Sequence, residues 1–251
     1  MARLLALILL LLPLSAQAEE IVLGLSRDQV AITATFDGSE IMIFGAVKRE
    51  APAPVEEGAL GVIVTVEGPD REITVRRKER RFGIWMNTDA VDIDAAPSFY
   101  AVASSGPFNE VLRDVEDLRH EISIPRAIRS VGARIMDSEA FTRALIRIRE
   151  NQDLYQVLEG AVDLEEETLF RTAITLPANL TEGEYLARIF LTRSGTIIDE
   201  YDTVIPVKKV GLERWLYNLA HENAVAYGLM SLAIAIAAGW TASAAFSLLR
   251  R

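Results

Sequence analysis

Through most of the first hundred positions apolar and polar residues alternate, which is the period of a strand with one buried face. Val30, Ile32, Ala34 and Phe36 alternate with Ala31, Thr33 and Thr35, Asp37-Gly38 is a hairpin dipeptide, and Ile41 to Val47 resumes as a run apolar on both faces. This pattern predicts a β-hairpin whose second strand is buried. Beyond a Pro-containing loop at 51–58, Leu60, Val62, Val64 and Val66 alternate again, Gly68-Pro69-Asp70 turns the chain, and Ile73 and Val75 open a return strand. A second hairpin is therefore expected. Residues 82–87 and 98–104 have the apolar and aromatic content of further short strands.

The period then changes. Pro107 suits the first turn of a helix, and Phe108, Val111, Leu112, Val115 and Leu118 form a stripe at helical spacing opposite Glu110, Arg113 and Asp117. A second helix is expected from Asp137 or Ser138, with Phe141, Leu145 and Ile148 on one face and Glu139 four positions before Arg143. A third, short helix is expected over 154–159, ended by Gly160. Alternation returns in 169–176, 185–192 and 196–207, the last two joined tightly through Arg193-Ser194-Gly195. Leu180, Gly183 and Tyr185 stand where a Greek-key sandwich carries a tyrosine corner, a packing device whose hydroxyl bonds to upstream backbone. The expected fold class is mainly β with a helical insertion (α+β) at about 107–160. Its architecture would be an immunoglobulin-like β-sandwich in which 20–104 and 168–207 share one core, with two separate small β domains as the alternative.

The two ends read differently. Residues 1–18 combine Arg3, an apolar stretch from Leu4 to Leu12, Pro13 and the small-x-small ending Ala16-Gln17-Ala18, the plan of a cleaved signal peptide. Ala224 to Leu249 is a run without an ionisable group, followed by Arg250 and Arg251. At about 1.5 Å per residue it reaches roughly 39 Å, enough to cross a hydrocarbon core of about 30 Å. It is expected to be a transmembrane helix anchored in lipid, with the two arginines in the cytoplasm and residues 19–210 as a periplasmic domain on the inner membrane of a bacterium. Residues 211–223 form a juxtamembrane segment with Leu212, Trp215, Leu216 and Leu219 on one side, and Trp215, Tyr217 and Tyr227 are placed for the headgroup region. Within the span Ser231, Ala235, Gly239 and Ser243 stand four apart, a row of small residues that would let a partner helix approach.

Composition narrows the chemistry. The chain has no Cys and only His120 and His221, so disulfides, thiolate metal sites, a Cys nucleophile and multi-histidine centres have nothing to draw on. No Gly-x-Ser-x-Gly elbow, phosphate-binding glycine loop or zinc-helix pair occurs. No catalytic residue, cofactor or metal is expected, and the reading is of a protein that is not an enzyme. Between the signal and the span, 23 Lys+Arg (26 less Arg3, Arg250 and Arg251) face 36 Asp+Glu, a net charge of about −13 that argues against nucleic acid as a partner. Against that background Arg76, Arg77, Lys78, Arg80 and Arg81 crowd five cations into six positions. They could bind a small anion, lipid headgroups or an acidic partner, or be a solvated strand end paired with acids such as Glu72 and Glu79.

The segments from Ser26 through Phe36 and Ile41 to Ala46, the run Arg81-Phe82-Gly83-Ile84-Trp85-Met86-Asn87, and Leu176-Pro177-Ala178-Asn179 through Tyr185 resemble an alphaproteobacterial family of transmembrane proteins of unknown function. The resemblance extends over nearly the whole chain, signal and span included. Members of that family are often encoded beside an exporter of the sulfite exporter type. The resemblance thus implies an integral membrane partner, with the chain as a non-enzymatic accessory or assembly component, and it supplies no catalytic residues. The alternative function is a membrane-tethered binding module for a small anion or acidic partner at residues 76–81.

Overall fold

The computed structural model describes residues 19–25, 30–32, 38–49, 58–129, 138–209 and 212–249. The expected signal segment 1–18, residues 33–37 of the first expected hairpin, nearly all of the loop at 51–58, and the terminal Arg250 and Arg251 lie outside the described residues. In chain order the elements are β1 (Glu19–Leu25), β2 (Val30–Ile32), β3 (Ser39–Arg49), β4 (Leu60–Glu67), β5 (Asp70–Arg81), β6 (Ile84–Pro97), β7 (Tyr100–Ser104), α1 (Phe108–Val111), α2 (Asp114–His120), α3 (Ile124–Ala127), α4 (Ser138–Glu150), β8 (Tyr155–Leu158), β9 (Asp163–Glu165), β10 (Leu169–Leu176), β11 (Gly183–Arg193), β12 (Thr196–Lys209), α5 (Leu212–Glu222) and α6 (Ala224–Leu249). The protein is mainly β. Two compact units divide it, Met1–Val30 with Asp37–Pro206 and Ala31–Phe36 with Val207–Arg251.

Strands from both sequence regions mix in each large sheet. One sheet runs β1-β3-β10-β9, a second β2-β12-β11-β4-β7-β8, and among the described residues β5 pairs only with β6. Among the described residues the pairings differ from both expected N-terminal hairpins. The two edges of β3 are taken by β1 and by β10, with Ile41 opposite Ile174, while β2 belongs to the other sheet. Likewise β4 is held between β11 and β7, so the turn at 68–70 leads away from it into β5. Tertiary pairing between strands far apart in sequence overrides the local turn signals. The run 41–47 is also not apolar-buried on both faces: Ile41, Ile43 and Val47 are buried while Met42 and Phe44 are exposed.

The helical region departs from expectation in two places. The stripe expected as one helix from 107 to 118 is two short helices, because Leu112 and Arg113 adopt extended backbone and break it. Val115 and Leu118 are exposed as a result. The expected helix at 154–159 is strand β8, which lies parallel to β7 in register Tyr100↔Tyr155. Four residues, Tyr155-Gln156-Val157-Leu158, are compatible with either state, and the open edge of β7 decides it. By contrast α4 forms where expected, with Phe141 and Leu145 buried and the Glu139–Arg143 pair at 3.3 Å.

The core consists of Ile41, Ile43, Phe170 and Ile174 from the first sheet and Val62, Val64, Tyr100, Ile189 and Ile205 from the second, all buried. Each aliphatic side chain so placed contributes about 1.5–3 kcal/mol. The sheets are also stitched by polar groups. Glu19 accepts from Arg49 Nε at 2.7 Å and from Arg193 Nη2 at 2.8 and 3.0 Å, joining β1 and β3 to β11, and Ile21 N donates to Asp199 Oδ2 at 2.8 Å. Burial alone would raise the pKa of Glu19, but the bonds and charges of the two guanidiniums outweigh it and hold the carboxyl below its ordinary value. Buried tyrosines find backbone acceptors: Tyr100 Oη donates to Ile122 O at 2.7 Å and Tyr155 Oη to Pro97 O at 2.8 Å, and burial pushes both phenols up.

Candidate functional site

The basic cluster lies on β5 of a long two-stranded hairpin. Its base is held by Val91 and Ile93, both buried, opposite the half-buried Val75 and Ile73, and α4 packs against it. A bulge between Arg77 and Lys78 marks where the register shifts. Alternation along the strand divides the cations. Arg76, Lys78 and Arg80 point to one face and Arg77 and Arg81 to the other. Arg77 lies over the Phe141 ring at 4.7 Å and pairs with Asp89 at 3.9 Å; Arg81 pairs with Glu79 at 3.2 Å; Arg80 Nε donates to Gly83 O at 3.3 Å. Six consecutive positions in sequence thus become two faces rather than one convergent cradle.

The hairpin closes through Phe82 (φ +51) and Gly83 (φ +85), a two-residue turn with both central residues left-handed, the geometry that matches strand twist. Around it Phe82, Ile84, Trp85 and Met86 are all exposed. The strand expected over 82–87 is instead a turn at Phe82-Gly83 followed by the start of β6. An aromatic-glycine pair between two alternating runs was the available signal, obscured because aromatic next to glycine is not one of the usual turn dipeptides.

Tyr185 Oη donates to Thr181 O, four residues upstream, at 2.8 Å, and its ring lies 6.1 Å from that of Phe99. Burial, as the largest cause, pushes its phenol up to about 12. His120 is fixed by neighbours: Nδ1 lies 3.1 Å from Glu200 Oε2, Nε2 lies 3.7 Å from Glu116 Oε2, and the ring meets Phe190 edge-on. A small polar pocket lined by Glu67, Asp70, Glu121, Arg126, Arg129 and Arg188 lies in the same unit, and burial raises both Glu67 and Asp70. Among the described residues no group of three or more His, Cys, Asp or Glu is placed to hold a metal.

In the second unit α5 and α6 follow one another with only Asn223 between, and the amide of Tyr227 still donates to Asn223 O at 3.0 Å. Trp215, Tyr217 and Tyr227 are exposed, and His221 stacks on Tyr217 while its Nδ1 lies 2.8 Å from Tyr217 O. The window Ala224–Ser243 has mean hydropathy 1.6 and none of it is buried inside the protein. Ser231, Ala235, Gly239 and Ser243 are exposed, and a Cβ added at Gly239 would meet nothing within 4 Å.

A β-rich body is followed by one described helix long and apolar enough to cross a membrane, which suggests a membrane protein. The chain belongs to the family described as "Putative transmembrane protein (Alph_Pro_TM)", matched over residues 20–248. No curated protein matches it.

Proposed function

We propose that this chain is a non-enzymatic accessory or assembly partner of an integral membrane transporter, of the sulfite exporter type as family resemblance implies. In this reading residues 1–18 are a signal peptide, the β-rich body is an immunoglobulin-like sandwich in the periplasm, and α6 anchors it in the inner membrane with the C-terminus in the cytoplasm. The observation that carries the partnership is the face of α6: Ser231, Ala235, Gly239 and Ser243 form an exposed row of small side chains along an apolar helix. Small residues let two helix backbones approach closely in lipid, where packing rather than the hydrophobic effect drives association.

Mild-detergent extraction of the tagged full chain from its native membrane tests this. An integral membrane protein in fixed stoichiometry should accompany the natural chain and be lost from an Ala235→Leu, Gly239→Leu variant. A chain that purifies alone, or keeps its companion in the double variant, contradicts the proposal. The alternative, a small-anion site at Arg76–Arg81, has less support because the cations alternate between two faces and Arg77 and Arg81 already face acids.

A further inference from the structure

Beyond the bulge at Arg77 and Lys78, the β5–β6 hairpin continues as an arm whose cross-strand pairs run from Lys78↔Asn87 to Arg81↔Ile84. With its turn it extends about 15 Å at the usual rise of a strand. Phe82 is 102% exposed, Trp85 69%, Ile84 61% and Met86 46%. Phe82 occupies a left-handed position that Asn, Asp or Gly fill without strain, and a bulky side chain there disfavours the turn. Folding therefore gains nothing from an aromatic at the apex. Around this tip five cations and one anion, Glu79, occupy positions 76–81 of a body whose charge is otherwise strongly negative.

We propose that this arm is a contact for an anionic lipid surface, independent of the helix partnership above. Phe82, Ile84, Trp85 and Met86 enter the boundary between headgroups and acyl chains, and Lys78, Arg80 and Arg81 engage lipid phosphates. Aromatic side chains with apolar bodies favour that boundary, and flanking basic residues are attracted by anionic headgroups. Exposure on both faces suits a wedge pushed into a fluid surface. Lipid is the occupant because the chain's own span tethers it to a bilayer, which keeps headgroups at high effective concentration. The acidic body supports the same assignment: it is repelled by an anionic surface except at the arm, which confines contact to the tip.

The natural chain has no Cys, so Met86→Cys provides a unique attachment point for an environment-sensitive fluorophore on the full-length protein. The labelled chain is reconstituted into phosphatidylcholine vesicles with and without phosphatidylglycerol, each carrying lipid-borne quenchers. The label should shift to the blue and be quenched in the anionic vesicles, and remain water-exposed in phosphatidylcholine alone. Arg80→Gln with Arg81→Gln should weaken the contact about 30-fold, at about 1 kcal/mol per basic residue, and Phe82→Ala with Trp85→Ala should abolish the blue shift. A second label at the exposed Val115 of α2 should stay in water. A label at 86 that remains in water in anionic vesicles, or equal quenching at 115, would overturn the proposal. Because these vesicles contain no other protein, the result is separable from the fate of the helix partnership.

Discussion

The base and the tip of the β5–β6 hairpin are built from the same ladder, yet one buries its side chains and the other exposes them. At the base, Ile93 and Val91 are buried against the body, whereas past the bulge Ile84, Trp85 and Met86 stand in solvent with Phe82 at the apex. An isolated two-stranded ribbon is marginally stable in water, so the base must hold the arm in place. Apolar side chains therefore have two uses on one strand pair, and exposure, not hydrophobicity, separates them.

That division can be broken at the base first. Ile93→Ala removes a fully buried side chain and should cost about 3 kcal/mol, seen as a lowered midpoint when strand circular dichroism of the full chain in detergent is followed with denaturant. A next effect, of about 2 kcal/mol, is expected for Glu19→Gln, which leaves the buried Arg193 guanidinium without its carboxylate. Because the carboxyl of Glu19 is held below its ordinary value of 4.5, the stability it contributes is present above that value and is lost as pH falls through the lower folded value. The gap between the natural chain and the Glu19→Gln variant should therefore be full at pH 7 and close in acid; a gap that persists unchanged in acid contradicts this account of the clamp. Smallest of all, Phe82→Ala with Trp85→Ala should leave the midpoint within about 0.5 kcal/mol, since neither side chain is packed. A large loss from the tip pair would mean that the arm is structural after all.

Much of the element content is legible from periodicity. The alternation of 60–66 and 169–176, the helix from Ser138 and the apolar run from Ala224 all correspond to elements found. Strand partners are not legible, because a turn dipeptide reports only what its neighbours could do. Ile41 pairs with Ile174, more than a hundred positions away, and no local pattern encodes that. Tyr155 to Leu158 shows the same limit at smaller scale, since four residues cannot distinguish periods of 2 and 3.6 and the edge of β7 makes the choice. The basic cluster was visible as density of charge, but its division between two faces emerges only with the strand register, and with it the exposed apolar tip. Nothing in the spacing of Glu19, Arg49 and Arg193 announces that they meet.

Hydrogen exchange on the full chain, compared between detergent and phosphatidylglycerol-containing nanodiscs, tests the division between base and tip most directly. Amides near Ile73, Val75, Val91 and Ile93 should be protected equally in both, while those from Arg80 to Met86 should exchange fast in detergent and slow in the anionic bilayer. Tip amides as protected as the base in detergent, or unchanged by anionic lipid, would contradict the account.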